Sequence, residues 1–269
     1  MQNKSNLANK KLLEQFGFKY KGTGVHTSRT MMYEDLNLLL SYVNNPDAEK
    51  ASYIEAIING NCLRKRSVIN RNISAKRLAE LYGLDPSLVV FRALRFFWGR
   101  DENGRPLLAL LCAISRDPLL CESIPFIFNH NYEEAIDRLK LEDFLKERSF
   151  DYYSNSSLKS ITQNINSTWT KSGHLKGRVK KIRTKATATP AAVAYALLLS
   201  YLTGARGEYL FNTQFTRVLD CSYSELLDLA EEASRRGWIV LKRIGEVIEA
   251  QFPSLLTKEE LEWVYEQNR

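Results

Sequence analysis

Lysine and arginine residues are concentrated in two stretches of the chain that contain no aspartate or glutamate. From Tyr152 to Gly207 there are nine basic residues, so the net charge of this stretch is +9. Between Glu55 and Glu80 a second stretch has six basic residues and a net charge of +6. The whole chain has a net charge of +7, so the remainder carries −8. Because a merely soluble surface usually mixes the two signs, this segregation favours a polyanionic partner.

The densest basic segment, KGRVKKIRTK at residues 176–185, has six cations in ten residues. Such a run contacts phosphates rather than particular bases, so binding to double-stranded DNA should weaken with salt. Four to six contacts would give a slope of roughly −4 to −5 in log affinity against log salt. RNA binding and a solvated basic face are the alternatives. The predicted DNA-binding residues are Arg64, Lys65, Arg66, Lys76, Arg77, Lys159, Lys171, Lys176, Arg178, Lys180, Lys181, Arg183 and Lys185.

Residues that could support catalysis or hold a metal show no recognisable pattern. The chain lacks the GxxxxGK[ST], GxGxxG, HExxH and GxSxG motifs. The three histidines stand far apart, and the cysteines occur singly, which argues against a zinc site and a disulfide framework. We therefore expect no enzymatic activity, no metal and no cofactor. We also expect four reduced thiols, at Cys62, Cys112, Cys121 and Cys221.

The first 150 residues are predicted to form a bundle of helices without strands. Apolar residues recur there at helical spacing, and turn residues separate the segments. Pro106 opens a fully apolar helix, PLLALLCAIS, which we expect at the centre of the bundle. The predicted helices cover Ser28–Val43, Asp47–Asn59, about Ser74–Tyr82, a segment from Pro86, a segment from Pro106, a segment from Asp117 and Asn131–Arg148.

A polar segment around residues 154–157 follows, and we place a domain boundary near residue 150. Apolar residues from Leu158 to Trp169 recur at helical spacing, so the basic segment 176–185 follows a helix and resembles a wing. Trp169 continues the apolar face and is expected in the core rather than in a stack with bases. The opposite face of this helix is expected to expose Lys159, Ser160, Thr162, Gln163, Asn164, Asn166, Ser167, Thr170 and Lys171.

The last part of the chain has the element order of a winged helix. A helix begins at Thr189-Pro190, and Ser222 and Glu225 form a capping box that begins another. Residues Trp238 to Phe252 are β-branched and aromatic and are split by Gly245, which predicts a β-hairpin.

These elements predict a mainly α fold. Residues 1–150 form an N-terminal helical bundle, and residues 151–269 form a basic helix-plus-wing segment and a winged-helix-like domain with one short β-hairpin. The longest apolar run, Ala191 to Leu202, is shorter than the roughly 20 residues of a transmembrane helix. The N-terminus has no signal-peptide core, so we expect a cytoplasmic protein without a membrane partner.

The helix that would read DNA in a winged helix is acidic in this chain. Residues 220–236 have a net charge of −3, and phosphates repel such a helix. We therefore interpret this module as structural or protein-binding. A second hypothesis for the chain follows, in which it is an adaptor whose winged helix docks a larger ATPase, methyltransferase or phosphatase-like subunit.

Residues 61–84 resemble the N-x-L-x-K-R segment, with trailing basic and leucine positions, of the BrxA family of BREX bacteriophage-defence systems. The segment reads Asn61-Cys62-Leu63-Arg64-Lys65-Arg66, followed by Arg71, Lys76, Arg77 and Leu78. The Ser28–Leu40 segment is similar to that family's early S-R-x-x-A-x-L-L stretch, although Met31 and Met32 replace small or branched residues. The Leu107–Leu120 block is also similar to its central helices. This resemblance implies a NusB-like helical bundle without enzymatic activity that binds double-stranded DNA beside other subunits of a defence system.

Overall fold

The computed structural model describes residues 10–20, 22–148, 153–245 and 247–266. These residues are mainly helical with a few short antiparallel strands, and the predicted fold class is confirmed. The helices are α1 (10–16), α2 (Tyr33–Tyr42), α3 (Lys50–Ile58), α4 (Val68–Tyr82), α5 (Val89–Trp98), α6 (Arg105–Arg116), α7 (Pro118–Glu122), α8 (Ile124–Phe128), α9 (Arg138–Arg148), α10 (Asn155–Lys171), α11 (Pro190–Leu202), α12 (Gln214–Arg217), α13 (Tyr223–Arg235) and α14 (Lys258–Glu266). The strands are β1 (Ala135–Ile136), β2 (Leu175–Lys176), β3 (Lys181–Arg183), β4 (Val240–Ile244) and β5 (Val247–Gln251).

Two apolar helices form the centre of the protein. In α6 the residues from Leu107 to Arg116 are all buried, and in α11 those from Ala191 to Leu202 are all buried. The two helices pack against each other, and both also pack against α5. The central position predicted for the helix from Pro106 is confirmed, and its main partner comes from the second half of the chain. The predicted boundary near residue 150 lies outside the described residues, so the two-domain division stays a prediction.

The basic segment 176–185 forms a small hairpin after α10, as its resemblance to a wing suggested. Strands β2 and β3 are antiparallel, and β1 pairs with the other edge of β3, so the strand order is β1-β3-β2. The expectation that residues 1–150 contain no strand is therefore wrong. Two-residue β1 is too short to show alternation, and it forms because the free edge of β3 offers backbone groups that need partners.

The C-terminal elements follow the predicted winged-helix order of α11, α12, α13 and the β4–β5 hairpin. The capping box that begins α13 is present. The Glu225 amide donates to the Ser222 hydroxyl at 3.3 Å, and the Ser222 amide donates to the Glu225 carboxylate at 2.7 Å.

Two helices of the first half begin at residues other than those predicted. Helix α2 begins at Tyr33 rather than Ser28, because residues 25–27 form a 3-10 turn and Met32 has a left-handed φ of 50°. Helix α4 begins at Val68, before the predicted Ser74, because the Ser67 hydroxyl accepts the Asn70 N–H and caps the helix.

A buried hydrogen-bond network joins the segment before α2 to the start of α7 and to α10. The Nδ1 atom of His26 lies 2.9 Å from the Asp117 carboxylate, and its Nε2 atom lies 2.8 Å from the Thr168 hydroxyl. The Met31 N–H also donates to the Thr168 hydroxyl at 2.9 Å. His26, Asp117 and Thr168 are each 0% exposed. The network therefore fixes the segment before α2 against the C-terminal half of α10.

We expect substitution of Gly24 to break this network. Gly24 has a φ of +69°, and a Cβ there would lie 2.3 Å from Oδ1 of Asp117. Gly24→Ala should lower the free energy of unfolding by at least about 2 kcal/mol more than Gly22→Ala. Gly22 is the matched control because it also has a positive φ, +106°, but its Cβ would meet nothing within 4 Å. Urea unfolding of both variants measures the difference, and equal losses would contradict the clash.

Candidate nucleic-acid interface

The loop of the β2–β3 hairpin is short, tightly turned and basic. Lys176 pairs with Ile182, so the five residues 177–181 lie between this pair, and the last of them is already the first residue of β3. Gly177 has a φ of +93°, and a Cβ there would lie 2.2 Å from the Lys180 carbonyl oxygen. The Lys181 ammonium donates to the Gly177 carbonyl at 2.7 Å and closes the base of the loop. We call residues 177–181 the basic loop.

Arg183 fixes the base of this hairpin to the C-terminal module. Its guanidinium donates to both carboxylate oxygens of Asp220, each at 2.8 Å, and lies 4.7 Å from the ring centroid of Phe128. The Tyr132 hydroxyl donates to the same carboxylate at 3.1 Å. Burial alone would raise the pKa of Asp220, but the hydrogen bond and charge of Arg183 outweigh it and lower that pKa. Asp220 is therefore held as an anion.

The structure corrects the prediction that Arg183 contacts DNA. Its side chain is only 2% exposed, and its two terminal guanidinium nitrogens donate to Asp220 and to backbone carbonyls. Alternation along β3 directs this side chain inward, and the position of Asp220 in the following module supplies its partner. Arg183 supports the hairpin and does not belong to the exposed basic surface.

His174 makes a second connection between the hairpin and the C-terminal module. The ring is 0% exposed, with Nε2 at 2.8 Å from the Val218 carbonyl oxygen and Nδ1 at 2.9 Å from the Ser172 hydroxyl. Burial lowers the pKa of His174 from 6.5 to about 4. In the neutral ring Nε2–H donates to Val218, and Nδ1 accepts from Ser172.

Six of the thirteen predicted DNA-binding cations have an acidic partner in the described part of the chain. The two basic stretches contain no acid, but five of the acidic partners come from other segments, and the sixth, Glu80, borders the second stretch on the same helix. Each paired cation has less free charge to offer a phosphate than the sequence suggests. The pairs are Lys65 with Asp35 (2.8 Å), Arg77 with Glu80 (2.7 Å), Lys171 with Glu34, Lys176 with Glu133 (2.8 Å), Arg183 with Asp220 (2.8 Å) and Lys185 with Glu225 (2.8 Å).

The other seven predicted cations have no acidic partner among the described residues. They fall into the basic loop, the segment around the start of α4, and one residue of α10. Apart from the half-buried Lys181, their side chains are exposed. These cations are Arg178, Lys180 and Lys181 in the loop, Arg64, Arg66 and Lys76 near α4, and Lys159 in α10.

The first turn of α2 connects the two basic stretches. Glu34 pairs with Lys171 at the end of α10, and the next residue, Asp35, pairs with Lys65 before α4. Both stretches therefore approach the same turn of one helix.

Helix α10 exposes less polar surface than predicted. Thr162 is 0% exposed and donates to backbone carbonyls of its own helix, and Asn166 is 5% exposed. Asn164 donates to the His26 carbonyl at 3.0 Å. The core position predicted for Trp169 is confirmed, since its ring is buried and its indole N–H donates to Ser123 at 2.9 Å. The exposed polar face is thus interrupted by side chains that fix the helix.

The Thr168–His26–Asp117 network has the hydrogen-bond order of a hydrolase triad, which the sequence did not reveal because the three residues are far apart. The Thr168 hydroxyl is buried and accepts the Met31 N–H, so this hydroxyl is not presented to a substrate. Burial alone would raise the pKa of Asp117, but the charge of His26 and the hydrogen bonds to Asp117 lower it. The observed role of the network is structural.

A cleft with a volume of about 610 Å³ lies between α7–α8 and residues 211–226. The thiols of Cys121 and Cys221 line it, and burial raises the pKa of each to about 11, so both are protonated at neutral pH. All four cysteines are free.

No cluster of three or more acidic, histidine or cysteine side chains among the described residues could hold a metal ion. None of the described helices combines the length and hydropathy needed to span a bilayer.

Comparison with known proteins leaves the interface to be interpreted from its own geometry. No protein-family model matches the chain, and no curated protein matches it.

We expect Arg183→Ala to lower the free energy of unfolding by about 3–5 kcal/mol, because it leaves the buried Asp220 charge without its partner. Asp220→Asn should also be strongly destabilising, and asparagine tolerates the left-handed φ of 62° at this position. Arg178→Ala, in the exposed loop, is the control and should change stability by less than about 0.5 kcal/mol. Denaturant unfolding measures all three, and an equal effect of the two arginine substitutions would contradict the structural role of Arg183.

The pKa of His174 predicts acid sensitivity. The unfolded state binds the proton near pH 6.5 and the folded state only near pH 4, so acid favours the unfolded state across this interval. The contribution to the free energy of unfolding is fully present above pH 6.5 and falls by about 3 kcal/mol by pH 4. His174→Gln removes this titration, so the parent should lose more stability than the variant between pH 7 and pH 4. Parallel pH profiles would refute the prediction.

Proposed function

We propose that this protein binds double-stranded DNA without catalysing a reaction, and that the basic loop is its main contact with phosphates. The observation that carries the proposal is that Arg178, Lys180 and Lys181 stand on a short hairpin and have no acidic partner among the residues that the structure describes. A hairpin fixed at its base presents these charges with little loss of conformational freedom on binding.

Unpaired cations attract phosphates more strongly than paired ones. A cation held by an exposed carboxylate must exchange that partner for a phosphate, although such exposed pairs are worth only about 0–1 kcal/mol. Lys176 and Lys185 flank the hairpin and are paired in this way, so they are secondary contacts. Arg64, Arg66 and Lys76 form a second group without an acidic partner in the described part of the chain, in line with the second contact zone expected from the sequence.

The resemblance of residues 61–84 to the BrxA family extends this proposal to a role in bacteriophage defence, in the cytoplasm and beside other subunits. The cations of that segment near α4 belong to the second contact zone. RNA is the alternative polyanion, because phosphate contacts alone do not distinguish the two polymers.

An adaptor role is the second candidate, and one surface favours it. Near the start of α4, Val68 is 55% exposed, Ile69 is 71% exposed and Ile73 is 37% exposed. Exposed aliphatic side chains next to Arg66 and Lys76 have the composition of a protein-binding patch with a basic rim. The net charge of −3 on residues 220–236 also favours a protein partner for α13 rather than a DNA groove.

The triple substitution of Arg178, Lys180 and Lys181 by alanine tests DNA binding. Arg183 is left unchanged, since its replacement would destabilise the fold. Each lost phosphate contact removes about 0.9 from the slope of log affinity against log salt, so the slope should flatten by up to about 3. Affinity for duplexes of any sequence should fall at least about tenfold in moderate salt. Fluorescence anisotropy with double-stranded DNA, single-stranded DNA and RNA measures both quantities.

The matched control replaces three exposed lysines, Lys140, Lys146 and Lys258, by alanine. The control variant thus has the same net charge as the basic-loop variant. The control should keep most of the parental affinity. Parental affinity and salt slope in the basic-loop variant, with its fold intact by circular dichroism, would reject the proposal and favour the adaptor role. Binding of RNA in preference to duplex DNA would redirect the proposal to RNA.

A further inference from the structure

Val179 stands at the apex of the basic loop and is 96% exposed, more than any other large hydrophobic side chain among the described residues. Loop apices usually have glycine, asparagine, aspartate or serine, which suit turn geometry and water. A β-branched aliphatic side chain makes few contacts at such a position in the free protein, so its apolar surface is available to a partner.

The neighbours of Val179 define the chemistry of that contact. The strand register places Val179 third of the five loop residues, between the exposed cations Arg178 and Lys180. The surface is thus a single apolar side chain with a positive charge on either side, at the end of a narrow hairpin.

The base of the hairpin is supported on several sides. Strand β3 is paired on both edges, Arg183 is bound to Asp220, and His174 contacts Val218. A side chain that is to separate stacked bases needs such support, because a mobile loop would move aside instead of transmitting the force.

We propose, on the basis of the DNA binding proposed above, that Val179 enters the minor groove of the duplex and wedges against a base step. The minor groove is about 6 Å wide and admits a loop apex rather than a whole helix. Its negative potential attracts arginine and lysine, which suits Arg178 and Lys180. Apolar side chains inserted from this groove partly unstack a base step and bend the duplex. The basic loop is thus a DNA-bending element as well as a phosphate-binding one.

Substitutions at Val179 test the wedge without disturbing the fold, because the side chain contacts little else. Val179→Ser removes the apolar group and keeps all cations, whereas Val179→Ile keeps an apolar, β-branched group. DNA bending is measured by energy transfer between dyes at the two ends of a short duplex, and affinity by anisotropy. Netropsin, which occupies the minor groove, and methyl green, which occupies the major groove, serve as competitors.

The parent and Val179→Ile should bend the duplex, and netropsin but not methyl green should displace them. Val179→Ser should bind about tenfold more weakly, the order expected for losing the burial of one aliphatic side chain. It should no longer bend the duplex, while its salt slope stays parental because no phosphate contact is lost.

Two results overturn the wedge while leaving DNA binding in place. One is parental bending and affinity in Val179→Ser, and the other is displacement of the parent by methyl green alone. Failure of the parent to bind duplex DNA would instead overturn the proposed function itself, so the two failures are distinguishable.

Discussion

The buried ion pair between Arg183 and Asp220 determines where the basic hairpin stands. The hairpin has only two and three residues in its strands, and an isolated hairpin of this size is not stable in water. Its stability therefore comes from the contacts at its base. Arg183 reaches Asp220, and His174 reaches Val218, so residues 218–220 hold the hairpin at two points. The loop that carries unpaired cations can then extend into solvent although its like charges repel one another.

Helix α10 positions the same hairpin from the other side. Thr168 near its end belongs to the buried network with His26 and Asp117, and Trp169 donates to Ser123. The chain turns into β2 only a few residues later. Contacts with the first half of the chain thus fix the helix that leads into the hairpin, and contacts with the C-terminal module fix the base of the hairpin. The proposed DNA contact depends on packing between the two halves, which is built on α6 and α11.

Features with a local cause were predictable from the sequence. The capping box of Ser222 and Glu225 requires only residues three apart, and α11 requires only the Thr189 cap, Pro190 and an apolar run. Pairing between distant segments was not predictable. Nothing near Arg183 distinguishes it from Arg178 in the same basic run, because its buried partner, Asp220, lies 37 residues further along the chain. The same holds for Glu133 and Glu225, which lie outside the acid-free stretch and neutralise Lys176 and Lys185. The segment that delays the start of α2 is likewise held by a hydrogen bond from Met31 to Thr168, 137 residues away.

The ion pairs that reduce the basic surface also concentrate what is left of it. An acid-free stretch with all its cations unpaired would present positive charge over a broad area and bind any polyanion without a defined orientation. In the folded protein the flanking lysines are neutralised, and the free charge of the hairpin is confined to the basic loop. In the proposed binding mode, a phosphate backbone is attracted to the apex of one fixed hairpin rather than to its sides. That mode places Val179 against the duplex, because the side chain lies between the two cations proposed to make the first contact. The paired residues would then contribute to orientation without touching DNA.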